Sequence, residues 1–213
     1  MVQSLRMNPN WAAENLQTIR TLMERTALYR RALAPIMIFA GALGLVACGL
    51  GVLFHLEAPR AFASLWLTTA GVALVGSFLL ARRQASAERE PFWSPPTRRV
   101  AQALLPPLVS GLFISLVMTV VDADWRINLP MVLFWMLFYG CALHSAGFFM
   151  TRSIKWVGWV FILGAMGILT FLLWQNDTAN PAAAGLIMGL FFGGLQFAYG
   201  VYLYFTEKKI SAA

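Results

Sequence analysis

The chain has 213 residues, of which 59% are hydrophobic and only 12% are charged. Soluble domains carry roughly a quarter of their residues as charges, and lipid accepts the apolar surface that one soluble core cannot hide. The composition therefore excludes an ordinary soluble domain and predicts a membrane protein. The net charge of +7 is typical of loops held on the cytoplasmic side of a membrane, so it does not indicate nucleic-acid binding.

The first 31 residues are predicted to form a cytoplasmic segment that contains an amphipathic helix. Asn8 is suited to cap this helix, and Pro9 is suited to its first turn. Apolar side chains then recur at helical spacing. They are Leu16, Ile19, Met23 and Ala27. The simpler interpretation is a helix in the cytoplasmic headgroup layer with its arginines near anionic lipid; the alternative is a docking helix for a partner or a second copy.

Six apolar stretches follow, each long enough to cross about 30 Å of hydrocarbon, which takes about 20 helical residues. They are Ala32–Phe54, Phe62–Ala81, Val100–Val121, Leu129–Phe149, Trp156–Trp174 and Ala182–Phe205. Barrel strands alternate strictly between polar and apolar residues, whereas Phe161–Thr170 shows no alternation. The sequence thus predicts an all-α bundle of six transmembrane helices over residues 32–205, with a cytoplasmic tail over residues 206–213.

The basic residues predict the orientation of the bundle. Fourteen of the sixteen lysines and arginines lie before the first span, in the second and fourth loops, or in the tail. Only Arg60 and Arg126 lie in the opposite loops, whereas the nine acidic residues divide almost evenly. The positive-inside rule therefore predicts that both termini are cytoplasmic.

Two prolines lie within the third span. Pro106 and Pro107 each remove a backbone donor, so we expect the helix to kink or loosen there. A broken membrane helix marks the substrate site of many transporters. Proline kinks without any such role are also common in membrane helices, and the position of these two near the cytoplasmic end favours the structural interpretation.

Small residues at helical spacing mark the first and last spans as helix-packing surfaces. The glycines concerned are Gly41, Gly44, Gly51, Gly185, Gly189, Gly193 and Gly200. Small residues at this spacing let two helix backbones approach closely. The partner is left open between another helix of this chain, a second copy and a different membrane protein.

Three polar positions inside the spans are candidate functional residues: Cys141, His144 and Gln196. Cys141 and His144 lie three residues apart on one helical face, but two ligands are too few to predict a metal site. We expect His144 to bond to a neighbouring helix, with Gln196 as the natural partner. The pattern predicts no metal and no cofactor.

Charged side chains are absent from the interior of every span, and no hydrolase, phosphate-loop or metalloprotease motif occurs. Proton-coupled and cation-coupled carriers keep charged groups in their pathways. The sequence therefore favours a non-enzymatic subunit, scaffold or sensor component that acts through helix contacts in the lipid bilayer. A transporter or channel for a small neutral or apolar solute is the alternative, and a membrane enzyme or redox subunit using Cys141 and His144 is third.

Four stretches of the chain carry a resemblance to a known group of proteins. They are Ile19–Thr26, Phe138–Leu143, Arg152–Trp159 and Gly194–Gly200. Together they resemble uncharacterised bacterial six-helix integral membrane proteins that open with an Arg-rich amphipathic helix. The resemblance implies a multi-pass protein of the bacterial inner membrane, and it implies no activity, cofactor or partner.

Overall fold

The computed structural model describes residues 33–87, 92–121, 124–175 and 181–211. The amphipathic helix predicted within residues 1–31 lies outside the described residues. The described part of the chain is helical, without strands, and six of its helices are long and apolar enough to cross a membrane. The prediction of an all-α membrane bundle is therefore confirmed.

The helices follow one another with short connections. We number them α1 Leu33–Leu53, α2 Pro59–Ala87, α3 Pro95–Val121, α4 Asn128–Ala146, α5 Arg152–Gln175, α6 Pro181–Met188 and α7 Gln196–Ser211. A 3₁₀ turn over Trp125–Ile127 leads into α4, and a π-helical segment over Gly189–Leu195 joins α6 to α7. α6, the π-helical segment and α7 together form one spanning helix, called the last helix below.

The centre of the bundle is α4. In its most apolar 18-residue window 44% of residues are buried, against 11% in α2 and α3. α4 packs along α3 and α5 and also meets α2 and α6. Met131, Val132 and Met136 of α4 and Phe161 of α5 are fully buried, whereas α2 and α3 present large apolar side chains outward, as lipid-facing helices do.

The end of α1 is closed by a Schellman motif. The backbone N–H of Leu56 donates to the Gly51 carbonyl over 3.0 Å, and His55 between them has φ of 49°. That left-handed conformation costs a residue with a Cβ roughly 1–2 kcal/mol. The chain is then held to α4, because the Asn128 side-chain amide donates to the Glu57 carbonyl over 2.6 Å.

The prolines of the third span do not interrupt the helix, since α3 runs through both Pro106 and Pro107. The hydroxyl of Ser110 donates to the Pro106 carbonyl over 2.9 Å. Pro106 itself is exposed on the bundle surface. Both prolines therefore lie in a continuous helix, with Pro106 on its outer side and Pro107 half-buried.

Candidate functional site

Among the described glycines, those between α1 and the last helix approach a neighbouring backbone most closely. A Cβ built on Gly44 would lie 2.7 Å from the carbonyl carbon of Phe192, and one built on Gly200 would lie 2.6 Å from the amide nitrogen of Ile38. Gly193 likewise faces the backbone of Leu45. No side chain fits between the two helices at these positions. The helices run antiparallel and touch backbone to backbone.

The other glycines of the predicted packing surfaces have different surroundings. Gly41 faces the backbone of Phe197, and Gly189 faces the side chain of Cys48. Gly51 turns instead toward Leu65 of α2, at 3.4 Å from its built Cβ. A Cβ on Gly185 would meet nothing within 4 Å, because the antiparallel register places this residue opposite the last turn of α1, where the close contact has ended.

A second glycine contact, between α4 and α5, has no counterpart in the sequence analysis. A Cβ on Gly140 would lie 2.8 Å from the carbonyl oxygen of Gly158, and one on Gly158 would lie 2.7 Å from that of Gly140. Neither glycine has another small residue three or four positions away, so neither gives the spacing that marks Gly-x-x-x-Gly pairs. This contact explains why the most buried helix packs so closely on α5.

A buried polar pair connects α4 to the last helix. The Gln196 side chain is 3% exposed and hydrogen-bonds to the side chain of Tyr139. Both residues lie near the middle of their spans, Ala182–Thr206 and Asn128–Ala146. A hydrogen bond at this depth links two helices where unpaired polar groups are costly.

Aromatic rings enclose the Tyr139–Gln196 pair. The Tyr139 ring centroid lies 5.0 Å from that of Phe161 and 5.2 Å from that of Phe192, and those two rings are 5.0 Å apart. Tilted and edge-to-face contacts at these distances are favourable. The pair is therefore a packed polar contact inside an apolar cluster.

The π segment lies directly before Gln196. Its seven residues include Gly189 and Gly193, which face α1, and Phe192, which packs on Tyr139. A π turn is wider than an α turn, so it changes which directions the following side chains take. The segment thus serves two contacts at once, the glycine contact with α1 and the polar pair with α4.

The structure does not bring His144 to Gln196, whose partner is Tyr139. The His144 ring lies edge-on to Phe148 and Trp159, with centroids 5.5 Å from each, and its Nδ1 is buried without a hydrogen-bond partner among the described residues. Cys141 is exposed on the surface of α4. Within the described ranges, no three His, Cys, Asp or Glu side chains lie close enough to share a metal ion.

Two further hydrogen bonds between helices involve residues that the sequence analysis did not single out. The indole N–H of Trp135 in α4 donates to the hydroxyl of Ser115 in α3, and that hydroxyl donates to the Gly111 carbonyl over 2.7 Å. The hydroxyls of Ser153 in α5 and Tyr199 in α7 lie 2.8 Å apart. Single Ser, Tyr and Trp residues give no spacing pattern, so sequence alone does not identify such pairs.

Together, these contacts define a polytopic membrane helix bundle held by glycine contacts and isolated polar pairs. No protein-family model, no curated protein and no solved structure matches the chain. Its interpretation therefore depends on its own residues.

Alanine substitutions separate the closely packed glycines from the open ones. Gly44→Ala places a methyl group against the Phe192 backbone, so we expect it to destabilise the protein by about 1–3 kcal/mol through overpacking. Gly49→Ala on the same helix meets nothing within 4 Å and should stabilise it by up to about 1 kcal/mol. Thermal melts in detergent measure both. Equal melting temperatures would show that the helices do not touch at Gly44.

A double-mutant cycle tests the polar pair. Tyr139→Phe leaves the buried Gln196 amide without its partner, so we expect a loss of about 1–3 kcal/mol. In the double variant, Gln196→Leu should recover most of this loss, because replacing both partners by apolar groups is nearly neutral. Unfolding in denaturant gives the three free energies. Losses that add to within about 0.5 kcal/mol would mean that the two side chains do not interact.

Proposed function

We propose that the protein is a non-enzymatic subunit or scaffold of the bacterial inner membrane that acts through helix contacts. The observation that carries this proposal is an outward surface on α2. Ser64, Thr68 and Gly71 lie three or four residues apart and are all exposed, and a Cβ on Gly71 would meet nothing within 4 Å. Glycine inside a helix is destabilising by roughly 0.5–1 kcal/mol relative to alanine, and no contact within the described chain offsets that cost.

Small residues at this spacing favour close approach by another helix. The occupant that we propose is a transmembrane helix of a different membrane protein. The interior of the bundle supports this role, because the buried side chain of Gln196 is engaged in a contact between helices, the Tyr139–Gln196 pair.

The orientation belongs to the same proposal. Six crossings leave both termini on one side, and the excess of Lys and Arg on that side supports a cytoplasmic location. The resemblance to six-helix bacterial proteins supports the inner membrane as the compartment.

Replacing the small residues on α2 tests the proposal. The tagged wild-type chain is crosslinked in native membranes and then purified in each of two mild detergents. We expect it to carry one partner protein at the same stoichiometry in both. Thr68→Leu with Gly71→Leu should abolish that crosslink without lowering the melting temperature, because both residues are exposed. The matched control is Gly167→Leu, another exposed glycine that meets nothing within 4 Å, on α5.

Three results would contradict the proposal. The first is a chain that is monomeric in native membranes. The second is a crosslink to the partner that persists in the double variant. The third is a crosslink only to a second copy of this chain.

The second candidate function is passage of a small neutral or apolar solute. The observation that favours it is the π segment beside Gln196, because π-helical turns often occur at functional sites. Proteoliposomes exposed to a glycerol gradient discriminate the two functions. The subunit proposal predicts swelling no faster than in empty liposomes, whereas faster swelling that Gln196→Leu abolishes would support the solute pathway.

A further inference from the structure

An open cleft of about 360 Å³ lies at the start of α3. It is lined by Trp93, Pro95, Arg98, Arg99 and Gln102. Its volume is within the range of small-ligand sites, about 300–1,000 Å³. We call it the arginine cleft. It lies apart from both the α2 surface and the Tyr139–Gln196 pair.

The lining is strongly positive. Arg98 and Arg99 are both exposed, and within the described ranges neither forms an ion pair with a carboxylate. Guanidinium groups present planar sets of donors that match phosphate oxygens. Gln102 lies one helical turn beyond Arg98 and offers a neutral amide beside the two charges. The cleft therefore has the chemistry of a site for an oxyanion.

Side chains must supply the donors in this cleft. Pro95 and Pro96 occupy the first turn of α3 and have no backbone N–H. The Ser94 and Thr97 hydroxyls lie 3.0 Å apart, and Ser94 accepts the Arg98 backbone N–H at its carbonyl over 3.1 Å. The two prolines thus remove backbone donors from the beginning of α3, the Arg98 backbone N–H is engaged with Ser94, and the guanidinium groups are the charged donors for a ligand.

The position of the cleft matches the headgroup layer. The apolar span of α3 begins at Thr97, and the Trp93 side chain is 63% exposed just before it, as is common for tryptophan at a membrane interface. The Phe92 ring packs edge-on against Phe78 of α2 at 4.9 Å, which holds this segment to the bundle. A lipid headgroup in the adjacent leaflet would lie at the same depth.

We propose that the arginine cleft binds a phosphate group with net negative charge, supplied by an anionic phospholipid headgroup or by free phosphate. A zwitterionic choline lipid carries the same phosphate, but its cationic end is repelled by the two arginines. The cleft therefore selects anionic headgroups over zwitterionic ones.

Native mass spectrometry of the full chain, released from neutral detergent, tests the proposal. The probes are phosphatidylglycerol, phosphatidylcholine and inorganic phosphate. We expect phosphatidylglycerol to bind more tightly than phosphatidylcholine, and Arg98→Gln with Arg99→Gln to weaken its binding about tenfold, equivalent to about 1.4 kcal/mol. The matched control is Arg82→Gln with Arg83→Gln, which removes two exposed charges at the end of α2, outside the cleft lining.

The outcomes separate the ligand sources and the rival explanation. Loss of phosphatidylglycerol binding only in the Arg98/Arg99 variant supports a headgroup site. Binding of inorganic phosphate alone, with the same dependence on Arg98 and Arg99, supports a free-phosphate site. Equal losses in both double variants would overturn the proposal in favour of general charge attraction, and so would equal binding of the two lipids. The melting temperature of each variant reports whether it is folded.

Discussion

The structure depends on the close approach of α1 and the last helix. Lipid tails are as apolar as the side chains of the spans, so hydrophobic burial provides little drive for helices to associate inside a bilayer. Dispersion contacts must provide it instead, and these require atoms at van der Waals distance. Gly44 and Gly193 remove the side chains that would keep the two backbones apart. The contact therefore joins the first span of the chain to the last one.

Polar residues reinforce the bundle at separate points. Asn128 binds the loop after α1, Trp135 binds α3, and Gln196 of the last helix binds Tyr139 of α4. Hydrogen bonds of this kind contribute on the order of 0.6–2 kcal/mol each in membranes. Three of the partners belong to α4, the most buried of the spans. The central helix is therefore held to its neighbours by directional contacts as well as by packing.

Hydropathy predicts the number and approximate place of the spans because the bilayer imposes one length on all of them. Helix ends are less predictable. α2 continues to Ala87, beyond the predicted Ala81, because Arg82 and Arg83 extend into solvent while their backbone stays helical. The glycine spacing indicates packing surfaces, but Gly140 and Gly158 have no periodic neighbours. Pairing Gln196 with Tyr139 depends on the register of two helices and on a π segment, and neither follows from local sequence.

Disulfide formation between α1 and the last helix tests the central contact most directly. Gly189→Cys, with Cys141→Ala, places a thiol beside native Cys48. The Cβ built on Gly189 lies 2.7 Å from the Cβ of Cys48, so the two helices must separate by about 1 Å to reach the roughly 3.5–4.5 Å spacing that a disulfide needs. After oxidation in membranes, the account predicts an intramolecular disulfide, seen as two fragments that stay joined after cleavage at a protease site introduced between α2 and α3. Gly185→Cys should remain unlinked, because nothing lies within 4 Å of its Cβ position. A covalent dimer, or no disulfide at residue 189, would contradict the account.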